Sequence, residues 1–137
     1  MSIQFPTSNS IEVAVETNVS IVFLNRPVES AARLGSGVRV VVSLAVLGEL
    51  FSGARRSKRV AQNLLRVEDF ARRARVLPCD IDTARQFGIV RAALQTAGTP
   101  IPEDDMWIAA CAIQFGLPLL TEDKHFDSVP GLQVVKW

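Results

Sequence analysis

Short β-branched apolar runs alternate along this chain with longer segments in which apolar residues recur at helical spacing. The run VRVVVS, from Val38 to Ser43, is almost continuously apolar, as is typical of a strand covered on both faces. Similar but shorter runs are IEVAV at Ile11 to Val15, LPLLT at Leu117 to Thr121 and LQVV at Leu132 to Val135. Alternating strands and helices predict a parallel sheet with helices on both faces, a three-layer α/β/α sandwich.

The segments between these runs carry the predicted helices. After the first strand, Thr17 or Asn18 is expected to cap a helix that includes Val19 to Leu24. Further helices are predicted from Leu44 onwards, over Val60 to Ala71, over Asp82 to Ala97 and from Pro102 to Phe115, with Val76 and Leu77 as a short edge strand. The last of these helices is apolar almost all round, so we expect it to be buried.

The composition fits one globular domain without a membrane segment. The 137 residues are enough to bury a core, and 48% of them are hydrophobic. No uncharged apolar run approaches the roughly 18 residues of a membrane helix, so we expect a cytoplasmic protein. We predict a single domain over residues 1–137, with residues 1–10 as an extension of unknown role. Cys79 and Cys111 lie far apart with no Cys or His nearby, which predicts two buried thiols.

Acidic residues fall where the predicted strands end and where helices begin. Glu16 follows the first strand and Asp123 follows a later one, so both are expected in the crevice beyond the carboxyl ends of the strands. Asp104 and Asp105 occupy the first turn of the helix after Pro102, and Glu49 lies among apolar neighbours. Because clustered carboxylates repel one another, a hard divalent cation such as Mg²⁺ or Mn²⁺ is what usually stabilises them.

Each acid also has an ordinary structural interpretation. Asp104 and Asp105, with Glu103, would complement a helix dipole. Glu49 would be a solvated helix residue, and Asp123 with Asp127 would cap a turn. The metal-site interpretation is favoured by the set taken together.

Four motifs, in order and spacing, resemble the PIN-domain toxins called VapC. They are ETN at Glu16 to Asn18, GEL at Gly48 to Leu50, PIPEDDMWIAA at Pro100 to Ala110 and TEDKHFDSVPGLQV at Thr121 to Val134. The resemblance covers nearly the whole chain from about Ile11. It implies a PIN-like sandwich and a Mg²⁺- or Mn²⁺-dependent endoribonuclease, the toxin of a type II toxin-antitoxin pair. It also implies an RNA substrate, a VapB-like antitoxin as partner and a homodimer.

The resemblance also assigns roles to individual residues. The catalytic acids it implies are Glu16, Glu49, Asp105 and Asp123, of which Glu16, Asp105 and Asp123 would hold the metal. Supporting positions around them would be Thr17, Asn18, Asp104, Thr121 and Asp127. The first acid departs from the family, whose triplet is DTN where this chain has ETN. A catalytically weakened fold that only docks an antitoxin or RNA is therefore the alternative function.

Other residues give weaker indications. The net charge is only +1, so RNA contacts are expected from a local basic run, Arg55, Arg56, Lys58 and Arg59, which could equally meet an antitoxin or solvent. His125 is the only histidine, which excludes a pair of acid and base histidines; it could contact RNA or the outer shell of a metal, although a lone His is more often structural. Trp107 and Trp137 are expected to pack. A phospho-accepting receiver domain is disfavoured because VRVVVS contains no acid.

Overall fold

The computed structural model describes residues 11–137. The predicted extension, residues 1–10, lies outside the described residues. One five-stranded sheet has the order β3-β2-β1-β4-β5, and every neighbouring pair of strands is parallel. The strands are β1 (Ile11–Val15), β2 (Val38–Ser43), β3 (Arg75–Leu77), β4 (Leu119–Leu120) and β5 (Val134–Val135).

Six helices accompany this sheet in the described part of the chain. They are α1 (Thr17–Asn25), α2 (Pro27–Leu34), α3 (Leu44–Arg55), α4 (Val60–Arg73), α5 (Ile81–Ala97) and α6 (Glu103–Gln114), and a 3-10 helix spans Lys124–Ser128. The predicted α/β/α sandwich is confirmed, and β3 is an edge strand as expected. No helix within residues 11–137 is both long and apolar enough to span a membrane.

Helix α2 was not predicted from the sequence. Pro27 disfavours helical backbone at Arg26, so α1 ends there and a new helix begins with Pro27 at its first position. Gly35, with a φ of 96°, ends α2 in a backbone conformation that residues with a side chain rarely adopt. At eight residues, α2 is shorter than the segments over which an apolar pattern predicts a helix.

The sheet and α6 form the centre of the hydrophobic core. Val13, Val41 and Val42 are fully buried, as are Leu119 and Leu120. These residues come from the three central strands, so the continuous apolar runs reflect burial on both faces.

Helix α6 is buried as its sequence predicted. Five consecutive residues from Ile108 to Ala112 are buried. Cys111 belongs to a small separate cluster with Val41 and Leu77. The prediction that both thiols are buried is wrong for Cys79, which is exposed because it lies in the connection between β3 and α5.

Two further local predictions are corrected. Strands β4 and β5 contain two residues each, fewer than the apolar runs suggested. Pro118, which lacks an N–H, cannot donate to the strand ladder, although its carbonyl accepts from the Ala14 N–H at 2.9 Å. The cap of α1 is the residue before those predicted, since the Glu16 carboxylate accepts from the Val19 N–H at 2.7 Å.

Candidate metal-binding active site

The candidate site lies at the carboxyl edge of the sheet, where β1 and β4 end side by side. The register pairs Val15 with Leu120, and the Glu16 N–H continues the ladder by donating to the Leu120 carbonyl at 3.2 Å. Glu16 therefore lies beside Thr121, two residues before Asp123. Helix α6 begins at the same edge, which brings its first turn with Asp105 to these strand ends.

Asp105, Asp123 and His125 form the tightest group of potential metal ligands. One donor atom from each residue lies within 4.8 Å of the other two. The Nδ1 atom of His125 is 3.2 Å from Asp105 Oδ2 and 3.3 Å from Asp123 Oδ1. The Asp105 and Asp123 side chains are 17% and 29% exposed, so the group is partly shielded but open to solvent.

Glu16 is the buried acid of the site. Only 3% of the residue is exposed. Burial raises the pKa of its carboxyl, and the negative charges of Asp105 and Asp123 raise it further, while the Val19 and Asn18 N–H groups lower it. Glu16 thus interacts electrostatically with both acids while one of its oxygens caps α1.

Glu49 approaches the site from α3. Its Oε1 atom accepts a hydrogen bond from Thr17 Oγ1 at 2.6 Å. Desolvation raises the pKa of Glu49; the Thr17 hydrogen bond lowers it, and the charges of Asp104 and Asp105 raise it. Glu49 is therefore coupled to the acids of α6, and Thr17 holds its carboxylate.

The pKa of Asp105 is also raised. The main cause is desolvation; the negative charges of Asp123 and Asp104 add to it, whereas the hydrogen bond and the electrostatic interaction with His125 oppose it. The exposed Asp104 therefore acts on the site through its charge. The pKa is therefore raised for three of the predicted catalytic acids, Glu16, Glu49 and Asp105, so each is harder to ionise than an isolated carboxyl group.

Thr121 and the turn after it position Asp123. Thr121 is fully buried, and its Oγ1 atom accepts from the Asp123 N–H at 2.9 Å. Asp123 Oδ1 accepts from the His125 N–H at 2.9 Å and caps the 3-10 helix. The turn-capping role considered for Asp123 is therefore present, and it holds the carboxylate at the site.

The chemistry of these donors fits a divalent cation. Carboxylate oxygens that repel one another and have raised pKa values become easier to ionise when a cation neutralises them. Asp105, Asp123 and His125 offer donors that lie close together, and Glu16, which is outside that group, interacts with both Asp residues through its charge. The residues present can therefore hold a metal ion.

Other predicted site residues lie around this group or away from it. Asn18 is exposed and contributes through its backbone N–H. Asp127 is turned to Lys136, whose Nζ atom lies 3.0 Å from its Oδ1. The predicted basic residues are exposed at the α3–α4 connection: Arg55, Arg56, Lys58 and Arg59.

His125 is the residue that the sequence reasoning undervalued. Its spacing, two residues beyond Asp123 in the turn that follows β4, was the available signal, because a tight turn brings residues two positions apart close together. The two tryptophans pack as expected. Trp107 stacks on Phe87 with ring centroids 4.0 Å apart, and Trp137 contacts Phe23 at 5.2 Å.

Comparisons with known proteins identify the family. The PIN domain family model matches residues 13–132. The tRNA(fMet)-specific endonuclease VapC of Salmonella typhimurium is 32% identical over 130 residues, covering 93% of this chain and 98% of that protein. Ribonuclease VapC2 of Haemophilus influenzae has the same identity, 32%, and the same coverage, 93% and 98%.

Solved structures show the same relationship. A chain of VapBC2 from Rickettsia felis, bound to a DNA fragment from their promoter, superposes with a TM-score of 0.84 at 25% identity, covering 93% of this chain and 99% of that one. A chain of DNA-bound VapBC from Salmonella typhimurium gives a TM-score of 0.83 at 30% identity, with 93% and 98% covered. With its sheet order, its acidic site and these relatives, the chain belongs to the PIN domain family.

Proposed function

We propose that this chain is an endoribonuclease that depends on Mg²⁺ or Mn²⁺ and is the toxin of a type II toxin-antitoxin pair. One observation carries the proposal: Glu16, which follows β1, interacts electrostatically with Asp105 of α6 and with Asp123 in the turn after β4, so three acids share one edge of the sheet. The ribonuclease and endonuclease names of the VapC relatives support the same activity.

The acids have different parts in the proposed reaction. Asp105 and Asp123 would bind the cation. Glu16 and Glu49 would add negative charge that balances the charge of the cation. Thr121 holds Asp123, and Thr17 holds Glu49. A bound divalent cation supplies an activated water and neutralises charge that develops on the phosphate.

RNA is the proposed substrate, and the exposed cations of the α3–α4 connection are the proposed phosphate contacts. Arg55 ends α3, and Lys58 and Arg59 precede α4. With a formal net charge of only +1, affinity for a polyanion must come from such local groups. Binding that weakens steeply with salt is expected.

A VapB-like antitoxin is the proposed partner, and a groove made of three adjoining cavities supports it. A cavity of about 540 Å³ lies between α2, β2 and α4, and it includes Leu34, Val40 and Phe70. It shares Phe23 and Phe70 with a neighbouring cavity, which in turn shares Leu24 and Arg66 with a third cavity that reaches Glu49. A segment lying in this groove would end beside the acids, where a cation on it could neutralise them.

A homodimer is proposed as well. Ile81 and Ile89 on α5 are 68% and 62% exposed, and they lie about two helical turns apart. Two large exposed aliphatic side chains on the same broad face of one helix are suited to burial against a second copy.

Cleavage of total RNA by the purified protein tests the activity. We expect cutting with Mg²⁺ or Mn²⁺, none with EDTA, and recovery when the cation is restored in excess. Cutting that persists unchanged in EDTA would contradict the metal dependence. Co-expression with the small protein encoded beside this one should give a stable complex, and recovery of free toxin alone would argue against that neighbour as antitoxin.

A binding module without efficient cleavage is the second candidate, and the Glu16 cap favours it. A carboxylate that accepts from the Val19 N–H has one lone pair fewer to offer a cation and is held in the orientation of the cap. This alternative predicts antitoxin binding with weak metal affinity and no RNA cleavage in any cation. Metal titration by calorimetry separates the two functions.

A further inference from the structure

The only histidine of the chain lies among the acids rather than in the core. The His125 side chain is 50% exposed, and its Nδ1 atom faces Asp105 and Asp123. A histidine retained for packing would be expected to be more deeply buried. The exposure of the ring and its position between two carboxylates indicate a function in the site and not in packing.

The two donor distances from His125 match neighbouring positions around an octahedral ion. Donors about 2.0 to 2.1 Å from a small divalent cation, at right angles, are about 3.0 Å apart. The His125 nitrogen lies 3.2 Å and 3.3 Å from the two carboxylate oxygens. A small movement of these side chains would therefore bring all three donors to one ion.

The backbone around His125 is held so that the ring stays at this position. The His125 N–H donates to Asp123 Oδ1 at 2.9 Å, so the backbone of His125 is fixed to the Asp123 carboxylate. Phe126, the next residue, is fully buried and anchors the turn in the core. The ring is thus positioned by its neighbours on both sides without being packed itself.

We propose that His125 Nδ1 is a direct ligand of the divalent cation, and that this nitrogen shifts the metal preference of the site. The inference rests on the metal dependence in the proposed function. Mg²⁺ prefers an all-oxygen environment, whereas first-row transition ions accept imidazole well. The site therefore prefers Mn²⁺ and Co²⁺ over Mg²⁺ more strongly than three carboxylates alone would. The nitrogen also supplies a donor that does not depend on Glu16, whose carboxylate already caps α1.

Pulsed electron paramagnetic resonance of bound Mn²⁺ tests this directly. With any purification tag free of histidine or removed, His125 is the only imidazole, so a nitrogen coupling to Mn²⁺ can come from no other side chain ring. His125→Gln removes the imidazole, and Lys124→Gln changes the neighbouring exposed residue as a matched control. Thermal unfolding confirms that each variant folds.

We expect the imidazole coupling in the wild type and in Lys124→Gln, and none in His125→Gln. Affinity for Co²⁺ should fall at least about tenfold in His125→Gln, with a smaller fall for Mg²⁺. Bound Mn²⁺ without a nitrogen coupling would overturn the inference, even if the protein cleaves RNA. A coupling in a protein that does not cleave RNA would support the inference and contradict the proposed function. Absence of Mn²⁺ binding would overturn the inference, whereas RNA cleavage that requires Mg²⁺ would still support the proposed function.

Discussion

Thr17 Oγ1 donates a 2.6 Å hydrogen bond to Glu49 Oε1 and thereby joins the first turn of α1 to α3 across 32 residues of sequence. The preceding residue, Glu16, is the buried acid of the site. Two neighbouring residues thus control two acids: Glu16 offers its own carboxylate, and Thr17 orients a second one. Any change in this part of α1 should act on both sides of the site.

Thr17→Val should weaken the site by releasing Glu49, because valine keeps the shape but lacks the donor. The pKa of Glu49 should rise further, since the hydrogen bond from Thr17 lowers it. We expect the rate of RNA cleavage to fall about 10- to 100-fold. The free energy of unfolding should fall by about 1 kcal/mol, as for a partly exposed hydrogen bond.

Thr17→Ser is the matched control, because it keeps the hydroxyl and should cleave RNA nearly as well as the wild type. Rates are compared at saturating cation, and stability is measured by urea unfolding. Equal activity in the valine and serine variants would show that the hydrogen bond to Glu49 has no role in cleavage.

The fold could be predicted where hydrophobic pattern alone decides structure. The run Val38 to Ser43 contains four valines and only two polar residues, a pattern that predicts a strand between two layers of helices, and the structure confirms this strand. Helix α2 was missed because its start depends on Pro27 and its end on Gly35, which are local backbone effects. The short β4 likewise reflects Pro118, which removes one donor from an otherwise apolar run.

The site could be predicted only in part, for a physical reason. Asp105 and Asp123 were found because strand ends and helix starts meet at one edge of a parallel sheet. That Glu16 would cap α1, and that Asp127 would face Lys136, depends on side-chain directions that residue spacing does not determine. His125 was undervalued because isolated histidines carry little information until their neighbours in space are known.

Asp105→Asn should abolish RNA cleavage while leaving the fold intact, because it removes a ligand charge at nearly constant shape. In the absence of metal, the variant should be as stable as the wild type or more stable, since Asp105 is repelled by Asp123 and Asp104. The rise in melting temperature that Mn²⁺ gives the wild type should be lost. Differential scanning fluorimetry with and without Mn²⁺ measures both effects.

Glu103→Gln is the control for Asp105→Asn, since it removes an exposed negative charge from the same first turn of α6. It should keep both cleavage and the Mn²⁺ response. An Asp105→Asn protein that is unfolded without metal would instead mean that this residue mainly stabilises the start of the helix.

The pH dependence of stability should carry the signature of the acidic site. Folding raises the pKa of Glu16, Glu49 and Asp105, so the folded state binds protons more tightly there. Their contribution to the free energy of unfolding is fully present when the pH is below the ordinary pKa values, 4.5 for Glu and 3.8 for Asp. It is lost as the pH rises through the raised pKa values of the folded state. Without metal, the protein should therefore lose stability from this site as pH rises above about 4.5.

Asp105→Asn isolates this effect from opposing groups. Asp80, whose pKa is lowered, contributes stability that is lost as pH falls, but it does so equally in both proteins. The stability of the variant minus that of the wild type should therefore increase with pH in the absence of metal. Chemical unfolding at several pH values measures this difference, and a difference independent of pH would contradict the raised pKa of Asp105.

Glu16→Asp should raise activity, because it restores the acid of the family's usual triplet at a position that can accept it. Asp is among the strongest N-cap residues, so the Val19 N–H keeps an acceptor and metal-free stability should hardly change. Glu carries its carboxylate one methylene further from the backbone, and a displacement of roughly 1 Å can cost about a hundredfold in rate. We therefore expect faster RNA cleavage and tighter Mn²⁺ binding in the Asp variant across a metal titration. If cleavage is no faster, Glu16→Gln distinguishes the reasons: loss of activity means that Glu16 is already a competent ligand, and unchanged activity means that it acts only as the cap of α1.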